Sequence, residues 1–197
     1  MAVASAPDAV VRAPEGPAPP AARDATASAV YVVGILSLGA FVIVLASGAV
    51  LALEGPSWWH RSGAGRFVNG LHLWSTELFF LFMVVHLWAK FFIAAWRGGR
   101  GATWVTGAIG FLVAIPAAFT GYLTQQNFDA QWIALEARDG LNATGVGAFW
   151  NPLDFGQMLA WHILLLPLVL GLLIWIHLRL VRRRGLAPPL AEAEDEE

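Results

Sequence analysis

Four of the five histidines stand in two widely spaced pairs, His72 with His86 and His162 with His177, inside otherwise apolar stretches. An ionisable side chain at membrane depth is costly and marks a functional site. An α-helix advances about 100° and about 1.5 Å per residue, so the 14-residue interval brings the second ring to within roughly 40° of the first, about 21 Å further along. The 15-residue interval from His162 to His177 gives roughly 60° and about 22 Å. Each helix therefore shows two imidazoles on one face, one toward each edge of a bilayer core. Run antiparallel, the two helices bring His72 to His162 and His86 to His177. Two facing imidazoles can fill both axial positions of a haem iron, and the pattern predicts a holder for two stacked haems. Zinc fits worse, because it gathers about four ligands in a tetrahedron.

Two other stretches repeat the interval in glycine: Gly34 with Gly48, and Gly107 with Gly121. Missing side chains at those points would let a flat macrocycle approach the backbone. Small residues also favour close helix packing in membranes.

Helices must position these residues. The chain has 197 residues, 57% hydrophobic and 13% charged, which places it in the membrane class. A spanning helix needs about 20 mostly apolar residues. No Asp, Glu, Lys or Arg occurs in 25–53, 101–128 or 155–178, and only Glu77 and Lys90 interrupt the run between Arg66 and Arg97. The expected architecture is an all-α, four-helix transmembrane bundle with spans at about 29–53, 70–94, 103–123 and 157–181. Gly98, Gly99 and Gly101 predict a tight turn between the second and third spans. The connection from Thr124 to Asp154 is polar and predicts a short surface helix around 132–138. Pro116 and Pro167 predict kinks. Residues 1–28, rich in Ala and Pro, read as a disordered tail, and 185–197 as an acidic solvated one.

The absence of cysteine from the sequence excludes disulfides, cysteine-ligated iron–sulfur clusters and thioether-attached haem in this chain. No nucleic-acid partner is expected. Lys and Arg divide nine against three between the two sides of such a bundle, which predicts a multi-pass protein of the cell membrane with both termini cytoplasmic. His72 and His162 then lie toward the outer face, and His86 and His177 toward the inner one. Glu77, five residues after His72, is a candidate proton-relay group or a hydrogen-bonded helix contact. His60 reads as an interfacial residue beside Trp58 and Trp59.

The run from Gly70 to Gly121 resembles the amino-terminal half of the cytochrome b and cytochrome b6 family. The matching pieces are GLHLWSTELFFLFMVVHL, the helix start TWVTG at Thr103 to Gly107, and FTGYL at Phe119 to Leu123. His162 to Pro167 and His177-Leu178 resemble the fourth helix of that family, with the 15-residue interval of the cytochrome b6 variant. The resemblance implies two non-covalent b-type haems, the outer on His72 and His162 and the inner on His86 and His177. Gly34, Gly48, Gly107 and Gly121 would pack against the porphyrins. Lys90, Arg97, Arg100 and Arg179 are candidates for inner propionate contacts, and Arg66 for an outer one.

The function implied is a dihaem cytochrome b subunit that carries electrons across the membrane in a quinol–cytochrome c reductase-like respiratory complex. The alternative is a dihaem anchor that passes electrons between a peripheral dehydrogenase and the quinone pool. The expected partners are a quinone or quinol, the lipid bilayer, and a subunit equivalent to the carboxy-terminal half of cytochrome b. A Rieske-type iron–sulfur protein, a cytochrome c and a homodimeric assembly belong to the same expectation. One departure stands out: where the family follows FTGY with Leu-Pro-Trp, this chain reads Leu123-Thr124-Gln125-Gln126-Asn127.

Overall fold

The computed structural model describes residues 20–187, with side chains described from residue 29 onward. Four helices among them are long and apolar enough to cross a membrane. Helix α1 (Pro20–Glu54) begins earlier than predicted, so residues 20–28 are helical and not part of a disordered tail. Local chemistry accounts for the extension: Pro20 stands in the first turn, where its missing N–H is not needed, and an Ala-rich run follows. The rest of that tail, 1–19, and the acidic segment 188–197 lie outside the described residues.

Gly55, at φ 80°, ends α1 and opens the short helix α2 (Pro56–Arg61), which the sequence reading missed. Ser62 caps the next helix, α3 (Gly63–Phe92), its hydroxyl accepting from the Gly65 amide at 2.7 Å. That cap starts the second span seven residues before its predicted position. Ala94, Gly98 and Gly99, with φ of 48°, 58° and 71°, reverse the chain. Gly101 is already the first residue of α4 (Gly101–Leu123).

The long connection forms α5 (Phe128–Ala143), a helix twice the predicted length, capped by Asn127. The last span is continuous from Phe155 to Arg184. It comprises α6 (Phe155–Ala160), a π-helical turn (Trp161–Leu165) and α7 (Leu166–Arg184).

The helices pack as two antiparallel hairpins, α1 along α3 and α4 along α7. Where the hairpins meet, Ala40, Phe41, Phe79, Ala114 and Leu170 form a buried layer. Phe41, Phe79 and Ala114 are the midpoints of the intervals 34–48, 72–86 and 107–121. The layer therefore lies about 10 Å along the helices from each histidine level. Phe41 and Phe79 touch at 5.3 Å between ring centres, and Phe80 and Phe111 continue the aromatic contact. Phe79 is 5% exposed, so Phe79→Ala should leave a cavity costing about 3–5 kcal/mol. The expected result is a thermal midpoint lowered by roughly 10 °C in detergent; a change under about 3 °C would show that the layer is not closed around this ring.

Candidate functional site

All four histidines face the bundle interior, and one unit of structure recurs at each. His86 sets Nδ1 3.2 Å from the Val30 carbonyl, and His72 sets Nδ1 3.0 Å from that of Val44. His177 does the same with Thr103 at 2.9 Å, and His162 with Ala117 at 2.8 Å. In every case the accepting carbonyl lies four residues before one of the four glycines. In every case that glycine lies against the same imidazole. A Cβ on Gly34 would stand 2.9 Å from His86 Cε1, one on Gly48 2.9 Å from His72 Cε1, and one on Gly107 3.1 Å from His177 Cε1. At Gly121 the approach to His162 is tighter still.

Helix geometry explains the coupling. Side chains in an α-helix lean toward the N-terminus and cover the preceding turn. Glycine at position i leaves the carbonyl of i−4 uncovered, and that oxygen has a second lone pair beside its helical bond. An imidazole from the facing helix can then lie against the bare backbone and donate its Nδ1–H there. With that proton on Nδ1, the Nε2 lone pair is free to bind a metal, and the carbonyl fixes the ring's orientation. The sequence reading expected these glycines to pack against porphyrins; among the described residues each lies against an imidazole as well. The missed signal was positional, since the antiparallel hairpins match Gly34 to His86 and Gly48 to His72.

His72 and His162 have ring centres 6.0 Å apart and planes at 89°. An imidazole nitrogen binds a metal at about 2.0–2.1 Å, so two rings on opposite sides of one ion have centres about 6 Å apart. His86 lies within electrostatic reach of His177 at the other level. Among the described residues, no three of His, Asp or Glu gather to hold an ion. Two ligands per level suit a metal whose remaining positions come from a macrocycle, and the residues present fit haem.

The π-turn resolves the odd interval. Trp161–Leu165 includes His162, and a π-bulge takes up one extra residue. Pro167, two residues into α7, has no N–H to give the carbonyl four residues back. Fifteen residues from His162 to His177 thus behave as 14, and both histidine pairs come into the same register.

The basic candidates separate into two groups. Lys90 and Arg100 are half-buried, and Lys90 lies within electrostatic reach of Arg100, His86 and His177. Beside them Arg100 Nε, Thr103 Oγ1 and Trp104 Nε1 are buried with no hydrogen-bond partner among the described residues, a cluster of donors at one end of the bundle. Arg97 is exposed. Arg179 turns outward and stacks over Trp175, 5.3 Å from the ring centre. Arg66 is exposed and directed at the carbonyls of His60 and Arg61. All three lie at the protein surface.

The departure after Tyr122 has a structural role. Asn69 and Gln125 exchange amide hydrogen bonds at 3.0 and 3.2 Å, tying α3 to the end of α4. Asn69 stands one turn from His72, so this clasp lies over the His72–His162 pair. Glu77 is exposed on α3 and makes no ion pair among the described residues. Under α5, a cavity of about 380 Å³ is lined by apolar side chains, among them Leu123, Ala130, Phe155 and Met158, and by Gln126 and Gln131.

Fold and site together define a class: helical membrane proteins that face imidazole pairs across the bundle at two depths. Comparison with known proteins gives the family. Residues 77–197 match the family described as cytochrome b(N-terminal)/b6/petB. The chain belongs to this haem-binding family of electron-transfer membrane proteins. It is 26% identical over 185 residues to the cytochrome bc complex cytochrome b subunit of Chlorobaculum thiosulfatiphilum, covering 83% of this chain and 43% of the relative. It is 28% identical over 142 residues to the menaquinol:cytochrome c reductase cytochrome b subunit of Geobacillus thermodenitrificans, covering 64% and 62%. Cytochrome b6 of Chlamydomonas reinhardtii is 26% identical over 138 residues, with 64% of each chain covered. The chain thus spans less than two thirds of the length of these relatives.

Proposed function

We propose that the chain is a dihaem cytochrome b subunit that carries electrons across the membrane within a quinol–cytochrome c reductase-like complex. The observation that carries this reading is the fourfold recurrence of one unit, a histidine with Nδ1 tied to a glycine-exposed carbonyl and Nε2 free, at two levels. His72 and His162 hold one haem near the α5 end, and His86 and His177 hold the other near the 93–100 turn. Haem supplies reversible one-electron iron chemistry when bound. The chain's part is to fix the ligand rings, exclude water with the Phe41–Phe79 layer, and set the local charge.

That charge is unequal. Lys90 and Arg100 sit by the His86–His177 level, where they would meet propionates, and the orphaned donors of Arg100, Thr103 and Trp104 suit the same groups. Positive charge there favours the reduced, more negative centre, which supports the higher potential for that haem. The nine-to-three division of Lys and Arg supports an inner position for this level and cytoplasmic termini. Movement of an electron between levels then crosses the membrane field. The cavity under α5 has a mixed lining, apolar side chains beside the amides of Gln126 and Gln131, against which a quinone ring could lie. The relatives are named as subunits of bc-type complexes or as cytochrome b6, which supports a partner subunit within such a complex; a subunit supplying the rest of a cytochrome b, a Rieske-type protein, a cytochrome c and a dimeric assembly belong to the same proposal. The same names favour this reading over a simple dehydrogenase anchor.

The test is a reduced-minus-oxidised spectrum of the purified chain with haem quantitation. Two b-type haems per chain are expected, and a haem-free protein would overturn the reading. His86→Ala and His177→Ala should each remove the same haem; loss of different haems would refute the pairing.

A further inference from the structure

Three of the four imidazole-facing glycines follow a hydroxyl residue: Ser47–Gly48, Thr106–Gly107 and Thr120–Gly121, with Val33–Gly34 the exception. Thr120 turns its hydroxyl back to the Pro116 and Ala117 carbonyls, at 2.8 and 3.0 Å. Ser47 and Thr106 reach the imidazole itself. Ser47 Oγ is 3.1 Å from His72 Nδ1, and Thr106 Oγ1 is 3.2 Å from His177 Nδ1.

The direction of these bonds follows from a proton count. A hydroxyl has one proton and two lone pairs. Ser47 donates to the Ile43 carbonyl at 2.6 Å, with Val44 further away at 3.2 Å. Thr106 donates between Ala102 and Thr103, each at 2.9 Å. What each hydroxyl offers Nδ1 is therefore a lone pair. The Nδ1 proton of His72 lies between Val44 O and Ser47 Oγ, and that of His177 between Thr103 O and Thr106 Oγ1. The two hydroxyls fall one to each facing pair. The opposing rings, His162 and His86, have a carbonyl alone among the described residues.

We propose that Ser47 and Thr106 are positioning residues that each share the Nδ1 proton of one axial imidazole, and that each thereby tunes a different haem. The proposal rests on the dihaem reading. A second acceptor on Nδ1–H makes the imidazole a stronger donor through Nε2 and favours oxidised iron. It also limits rotation of a ring whose terminal torsion is otherwise broad. Loss of the hydroxyl raises the potential of one haem and leaves the other alone.

The experiment is an optical and EPR-monitored redox titration of the purified full chain as Ser47→Ala, Ser47→Thr, Thr106→Val and Thr106→Ser. Ser47→Ala should raise the midpoint of the haem that His72 variants lose, by about a threefold change in the redox equilibrium, or roughly 30 mV at 59 mV per tenfold. Thr106→Val should do the same to the haem that His177 variants lose. Ser47→Thr and Thr106→Ser keep a hydroxyl and should restore the parent potentials and the parent EPR signals. Both haems present at unchanged potentials in Ser47→Ala and Thr106→Val, or the same haem moving in both, would overturn the proposal. A parent chain that binds no haem would instead defeat the dihaem reading on which it stands.

Discussion

Replacing Gly121 with alanine should leave the protein with one haem in place of two. The new methyl group would point into the His162 ring, the closest of the four glycine–imidazole approaches. The ring cannot slide aside cheaply, because Nδ1 is held 2.8 Å from the Ala117 carbonyl one turn away. Relief requires swinging the imidazole off the backbone, which would turn Nε2 away from where His162 would hold a haem iron. Helix propensity works in the opposite direction, since Gly→Ala in a helix interior is worth up to about 1 kcal/mol of added stability. A measured loss of haem would therefore run against the backbone preference and report the steric conflict alone. Gly110→Ala in the same helix is the control, because a Cβ there meets nothing within 4 Å; it should keep both haems. Quantitation as the pyridine complex reads the difference, and a Gly121→Ala protein with two haems would show that this glycine is not needed for the ring.

The second large effect concerns chain length. Deleting Leu164 shortens the His162–His177 interval to 14 and removes the residue that the π-turn absorbs. The span can then run as plain α-helix with both rings in register, so both haems should be retained. Deleting Leu81 from α3 has no such outlet. The interval from His72 to His86 is regular helix, and one residue fewer rotates one imidazole by about 100° relative to the other. At least one haem should be lost. Equal haem content in the two deletion proteins would mean that the π-turn is not a register correction.

The spans, the antiparallel pairing and the facing of the four histidines were legible because each rests on side-chain chemistry with a fixed period. Fourteen-residue intervals in His and Gly survive any reasonable helix geometry. Other features were hidden for physical reasons. The 15-residue interval looked like a 60° offset, because sequence does not announce where an α-helix loosens into a π-turn; Pro167 was the available hint. The start of α1 was hidden by Asp24, Arg23 and neighbouring prolines, whose polarity outweighed an Ala-rich helix former. The first turns of α3 depend on Ser62 acting as a cap before two glycines, a signal easily read as loop. Gln125 looked like a loss against the Leu-Pro-Trp pattern, and only its placement beside Asn69 gives it a role. Phe41 and Phe79 passed as ordinary apolar residues because their importance lies in being midway between other residues.

Each imidazole is anchored within its own hairpin: His72 and His86 to α1, His162 and His177 to α4. The first hairpin therefore contains everything needed to aim two of the four rings before α4 has left the ribosome. The second repeats the arrangement without reference to the first. Biogenesis can proceed as two independent insertions into the membrane, each ending in a finished half-site, with recognition between the halves left to the Phe41, Phe79, Ala114 and Leu170 layer, the Phe80–Phe111 contact and the Asn69–Gln125 clasp.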